Sequence, residues 1–334
     1  MDNKEITKPK AWALISLLAI SILVASTGVS NLVFSLRQSE RQSDKKSQTA
    51  SIATSDGFIK KVNFPNVFLV AKSAIVYDAG TEEILFEKNA EVQLPLASIT
   101  KVMMVIVALD GLPEDSVVDI NSQALNEEGQ SGLREGQKWK LKDIVDLTLV
   151  ESSNDGAAAI VAAWSAFKNK DTSLPKDNNI SSDFLEAMNS KAKEIGLGQT
   201  YFLNETGLDK NAIVSGGYGS ALDVAKMFSY AISKFGSSFE ATRYREIQVS
   251  SLGKTEYIVK NTNTSVEQIP GIVASKTGYT DLAGGNLVIL FDAGLGHPIV
   301  ISVLGSTIDG RFEDVSELIR ATLDYLGSEN LYNN

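Results

Sequence analysis

An α+β fold is expected, with an antiparallel sheet completed by distant parts of the chain and helices flanking it. Three observations point there. Two short strand-like runs open the body, helical periodicities fill its middle, and strand-like runs return before a last helix. Residues 74–78 (AIVYD) and 83–87 (EILFE) read as strands joined by the turn-forming 79–82 (AGTE). Residues 102–109 (VMMVIVAL) are apolar on every face, the pattern of a helix buried on all sides. Helices follow at 142–149, 155–167, 182–195 and 221–235. Strands return at 272–276, 286–291 and 298–304, with connections short enough for antiparallel pairing, and a helix at 313–326 ends the body.

Composition excludes several chemistries. Among 334 residues there is no cysteine and a single histidine, His297, so a disulfide scaffold, a cysteine nucleophile and a multi-histidine metal site are ruled out. No cofactor or metal is expected. His297 itself, in Gly294–Pro298 (GLGHP), reads as a turn residue. The net charge of -10 hides an asymmetry: residues 1–66 hold nine Lys/Arg against five Asp/Glu, a balance of +4, and the rest carries -14. So acidic a body does not suit nucleic-acid phosphates, and no nucleic-acid partner is expected.

Residues 11–36 contain no charged side chain, long enough for one membrane span. We read residues 1–10 as a cytoplasmic N-terminus, 11–36 as a transmembrane signal-anchor, 37–61 as a flexible polar tether and 62–330 as the folded body. Val24-Ala25-Ser26 imitates a cleavage site, which leaves a cleaved signal peptide as the alternative. Lysines and arginines flank the span on both sides, so charge does not orient it.

Three short motifs carry the chemistry. Ser98-Ile99-Thr100-Lys101 opens the apolar helix, and residues three apart share a helix face, which brings hydroxyl and amine within hydrogen-bond reach. The chain holds six S-x-x-K matches; only this one opens a strongly apolar helix. Ser152-Ser153-Asn154 lies between two helices, where taken alone it also fits a helix N-cap. Lys276-Thr277-Gly278 ends an apolar strand; the lysine and threonine suit a carboxylate, and Gly278 permits close approach to the strand.

In this order and setting, the three motifs form the signature of penicillin-binding proteins and serine β-lactamases. The stretch from about Ala71 to Leu326 resembles the D-alanyl-D-alanine carboxypeptidases, the low-molecular-mass penicillin-binding proteins of bacteria. The likeness includes Gly132–Gly136 (GLREG), Phe202–Asp209 (FLNETGLD), Asn261–Asn263 (NTN) and Lys276–Thr280 (KTGYT). The resemblance implies a β-lactamase/transpeptidase-like fold with a helical subdomain, and hydrolysis of peptidoglycan muropeptides ending in D-Ala-D-Ala. It implies Ser98 as nucleophile, Lys101 as its base and Ser152 as proton carrier to the leaving D-alanine. Asn154 would hold substrate and lysine, while Lys276 and Thr277 would bind the terminal carboxylate beside Gly278, which also lines the substrate site, with the charge of Lys276 helping to keep Lys101 neutral. The backbone N–H groups of Ser98 and Tyr279 would form the oxyanion hole, and Arg311 would add a carboxylate contact. β-Lactams are implied as inhibitors, and an extracytoplasmic location follows from the substrate. Two departures stand out: no second domain is expected after the last helix, and Tyr279 replaces the histidine of some relatives. A serine β-lactamase, an endopeptidase on the same scaffold and a catalytically silent cell-wall receptor are the alternatives. The lactamase needs a deacylating glutamate, and Glu186 lies in a predicted continuous helix.

Overall fold

The computed structural model describes residues 63–333 except 127, 130 and 169–179. The expected membrane span and tether therefore lie outside the described residues. The strands are β1 (Ser73–Asp78), β2 (Ile84–Lys88), β3 (Leu94–Pro95), β4 (Val117–Asp119), β5 (Lys138–Lys140) and β6 (Tyr201–Phe202). They continue with β7 (Gly217–Gly219), β8 (Glu246–Ser250), β9 (Glu256–Lys260), β10 (Ile272–Thr280), β11 (Gly284–Asp292) and β12 (Pro298–Ser306). The helices are α1 (Thr100–Gly111), α2 (Leu141–Val150), α3 (Asn154–Lys168), α4 (Ile180–Ile195), α5 (Ala221–Phe239) and α6 (Gly310–Asn333).

A five-stranded antiparallel sheet runs in the order β10-β11-β12-β1-β2. Its central strands are covered on both faces, which is why they read as continuous apolar runs rather than alternating ones. In β1, Ile75 and Tyr77 join the large core with α1 and α5, whereas Ala74 and Val76 join the smaller core beneath α6. Val315, Leu318 and Ile319, spaced along one side of α6, pack in that second core with Ile299, Ile301 and Val303 of β12. Each such side chain contributes roughly 1.5–3 kcal/mol by leaving water. The Asp314 carboxylate adds a polar tie, accepting the N–H groups of Val70 and Ala71 (2.8 and 2.9 Å) and the Ser306 hydroxyl at 2.6 Å.

Helix α1 is buried from Thr100 to Ala108, as its all-round apolar sequence requires. It is the central post on which α3, α4 and α5 pack. Three boundaries differ from expectation. The strand expected at 272–276 continues to Thr280, so Lys276-Thr277-Gly278 lies inside β10 instead of at its end. The helix expected to stop at 235 reaches Phe239, but Phe235 has non-helical angles (φ -132°, ψ 31°), which marks a kink there. The hairpin β8–β9 lies outside the expected elements: β8 (EIQVS) alternates polar and apolar residues, but in β9 (EYIVK) the exposed Ile258 breaks the alternation and few positions are buried.

Candidate active site

The first motif sits on a tight turn. A 3₁₀ turn over Ala97–Ile99 leads into α1, and Ala97 holds a left-handed backbone (φ 48°), a strained setting for a residue with a Cβ. Two close contacts fix this turn. A Cβ on Gly207 would stand 1.9 Å from the Ala97 carbonyl oxygen, and one on Gly278 would stand 2.8 Å from that of Leu96 and 3.2 Å from the Ser98 nitrogen. Gly278 thus admits the strand to the back of the serine turn, the role expected of it. Asn286 of β11 adds a clamp: its amide donates to the carbonyls of Pro95 and Leu96, both at 3.0 Å, and its oxygen accepts the Gly305 N–H at 2.8 Å.

Lys101 is fully buried. Its Nζ donates to Ser98 Oγ at 3.0 Å, to Asn154 Oδ1 at 2.6 Å and to the Thr206 carbonyl at 2.9 Å. The hydroxyl and amine of the S-x-x-K motif therefore meet as the helical spacing predicts. Asn154 also donates to the Glu128 carbonyl at 2.5 Å, which ties the start of α3 to the loop before β5. Ser152 occupies the turn between α2 and α3 with φ 65°, and its hydroxyl receives Lys276 Nζ at 2.8 Å. Ser153, not Ser152, supplies the helix-cap geometry, its Oγ accepting the Gly156 N–H at 2.9 Å. Each lysine thus addresses one serine.

Lys276 is also buried and donates to its neighbour's carbonyl, Thr277 O, at 2.9 Å. Burial, then the nearby charges of Lys101 and Arg311, hold its pKa well below the ordinary lysine value. The resemblance implies a neutral Lys101 beside a charged Lys276. Coulomb repulsion is mutual, so the pair resists carrying two protons at once. Arg311, at the start of α6, is buried; its Nη1 donates to the Gly278 carbonyl at 2.8 Å, and its Nε has no hydrogen-bond partner. It braces the Lys276-Thr277-Gly278 segment and leaves a buried donor available beside it. Tyr279 is half exposed, its ring at the outer rim of the same strand.

Sequence reasoning gave no role to Thr206, Asn286, Asp209 or Thr262. Asp209 accepts the Thr280 hydroxyl and the Leu282 N–H (3.0 and 3.2 Å), joining the 202–209 loop to the end of β10. Thr206 acts through its carbonyl, which leaves no trace in residue type; Asp209 and Thr262 lie in segments whose family likeness was the available signal. His297 sits in the β11–β12 turn and meets Asp78. Among the described residues, no group of three His, Asp or Glu side chains is placed to hold a metal ion.

The family model for peptidase S11, D-alanyl-D-alanine carboxypeptidase, matches residues 60–307. The chain belongs to this family. Among relatives of the S11 chain, the D-alanyl-D-alanine carboxypeptidase DacF of Bacillus subtilis is 27% identical over 269 residues, covering 78% of this chain and 64% of DacF. A D-alanyl-D-alanine endopeptidase of Pseudomonas aeruginosa is 29% identical over 229 residues, covering 66% of this chain and 67% of its own length. This S11 chain thus spans about two thirds of each. Its fold is that of penicillin-binding protein D2 from Listeria monocytogenes in the ampicillin-bound form, with TM-score 0.62, 25% identity, and coverage of 77% of this chain and 98% of that one. A variant of the Streptomyces K15 DD-transpeptidase shares the fold at TM-score 0.66 with 23% identity and the same coverage.

Proposed function

We propose that this S11 peptidase removes the terminal D-alanine from peptidoglycan stem peptides ending in D-Ala-D-Ala, through an acyl-enzyme on Ser98. The observation that carries the reading is the Lys101 amine 3.0 Å from the Ser98 hydroxyl at the head of a buried helix. The substrate carboxylate docks beside Lys276, Thr277 and Arg311. Its negative charge stabilises a proton on Lys276, so the lysine pair's remaining member, Lys101, is the neutral one. Ser98 Oγ attacks the carbonyl carbon of the penultimate D-alanine while Lys101 Nζ accepts its proton. The backbone N–H groups of Ser98 and Tyr279 receive the developing oxyanion. Ser152 relays the proton that Lys101 took from Ser98 to the departing D-alanine nitrogen, and water, giving its own proton back through Lys101 to Ser98, releases the shortened peptide.

β-Lactams acylate the same serine in this reading and act as inhibitors; the ampicillin-bound Listeria relative supports it. Cleavage of D-Ala cross-links is the second reading, supported by relatives named as endopeptidases. A class A β-lactamase is disfavoured because Glu186 lies within the continuous helix α4. Residues 11–36 would anchor the enzyme in the cytoplasmic membrane as a single pass, with the body outside the cytoplasm where its substrate lies. D-Alanine release from a pentapeptide by the full chain, with Ser98→Ala as control, tests the activity. Equal release by both proteins would overturn the mechanism.

A further inference from the structure

Thr262 lies between two anchored asparagines. Asn261 donates to the carbonyls of Thr242 and Tyr244, both at 2.8 Å, and Asn263 donates to Ser275 Oγ at 3.1 Å. Held in this way, Thr262 touches two of the motif segments. Its N–H donates to the Val150 carbonyl at 3.0 Å, two residues before Ser152, and its Oγ1 lies 3.3 Å from that same oxygen. Its Oγ1 also lies 2.6 Å from Thr277 Oγ1.

Two hydroxyls this close share one proton between them, and the direction of that bond decides what Thr277 offers a ligand. In one arrangement Thr277 donates to Thr262 and Thr262 donates to the Val150 carbonyl. Both protons are then placed inside the protein, and Thr277 presents only lone pairs, which repel a carboxylate. In the other, Thr262 donates to Thr277, and the Thr277 proton is left for an outside acceptor. Thr277 is almost fully buried, so an unplaced donor there is costly unless an acceptor arrives. A carboxylate selects the second arrangement, and the bond from Thr262 polarises the Thr277 O–H toward it.

We infer that Thr262 is a positioning residue for carboxylate recognition, acting through the Thr277 hydroxyl. The inference rests on the carboxypeptidase reading, and its test separates the two. KM and kcat for D-alanine release from an acylated Lys-D-Ala-D-Ala tripeptide are measured on the full chain and on Thr262→Val, Thr262→Ser, Thr277→Val and the Thr262→Val/Thr277→Val double variant, with thermal melting of each. Thr262→Val is expected to raise KM roughly tenfold, the scale of one charge-assisted hydrogen bond, and to change kcat far less. Thr262→Ser restores KM. The double variant has the KM of Thr277→Val, because Thr262 has nothing left to act through. Additive losses in the double variant, or a Thr262→Val KM equal to wild type, overturn the inference while leaving the carboxypeptidase reading intact. A loss in kcat alone overturns it too. No release by wild type overturns both.

Discussion

The Nζ of Lys276 lies 2.8 Å from the hydroxyl of Ser152, so a lysine inside the sheet and a serine between two helices meet across the cleft. The bond from Lys276 holds the Ser152 hydroxyl from the strand side, while Lys101 holds that of Ser98 from the helix side. The protonation of Lys276 is also readable from outside. Because the folded pKa of Lys276 is below 10.5, the unfolded chain binds more protons than the folded one between the folded value and 10.5. Stability therefore rises with pH across that window. Denaturation midpoints should show this slope in wild type and a flatter one in Lys276→Met, which also should lose affinity for the terminal carboxylate.

Catalysis should depend on the emptiness at Gly207, with Gly196 as the control. Gly207 has φ 82° and Gly196 has φ 81°, but a Cβ on Gly196 meets nothing within 4 Å while one on Gly207 overlaps the Ala97 carbonyl. Both alanine variants carry the same backbone strain, about 1 kcal/mol. The excess loss in Gly207→Ala measures the contact, and it should appear as slower acylation of Ser98 by a fluorescent penicillin. Equal behaviour of the two variants would show that the serine turn tolerates displacement.

Asn286→Ala should slow the same labelling with little change in the fold. It removes the side-chain donor from the Pro95 and Leu96 carbonyls, though Leu96 keeps the Ile99 N–H at 3.2 Å, a loss of about 1 kcal/mol. The readout is the labelling rate alongside the melting temperature. A melting shift with unchanged labelling would make Asn286 a stability residue only.

Acid stability should respond to Asp78. Burial alone raises its pKa, but the bond to His297 and the N–H groups of Thr81 and Gly80 outweigh it, and the carboxyl lies below its usual 3.8. Its contribution is fully present above 3.8 and is lost as pH falls through the lower folded value. Asp78→Asn should remove that acid-limb dependence and leave activity at neutral pH unchanged. A denaturation series on the acid side checks this.

Much of the site was legible because its side chains carry the chemistry. Ser98 and Lys101 announce themselves by opening a helix with no polar face, and Lys276 by ending a run of strand residues. What escaped was backbone geometry. The Thr206 carbonyl that holds Lys101 belongs to no residue type, and the left-handed backbones of Ala97 and Ser152 occur at residues that do not advertise them. Thr262 was quoted as part of a likeness, yet its meaning depends on a neighbour 15 positions away that only the folded chain supplies. Lys276 lies at an inner position of a strand, where the sequence pattern placed a strand end.

β1 sits between β12 and β2, and Val70 beside it is tied to a carboxylate 244 positions along the chain. The middle of the sheet is thus made from material synthesised at the two extremes of the body. Contacts of such long range form late, since the intervening chain must be gathered first. A nascent polypeptide that has emerged past Tyr279 already carries every candidate site residue but Arg311, yet it lacks the strand against which β1 and β11 both rest. Pairing of β1 with the rest of the sheet therefore waits for the last strand to leave the ribosome.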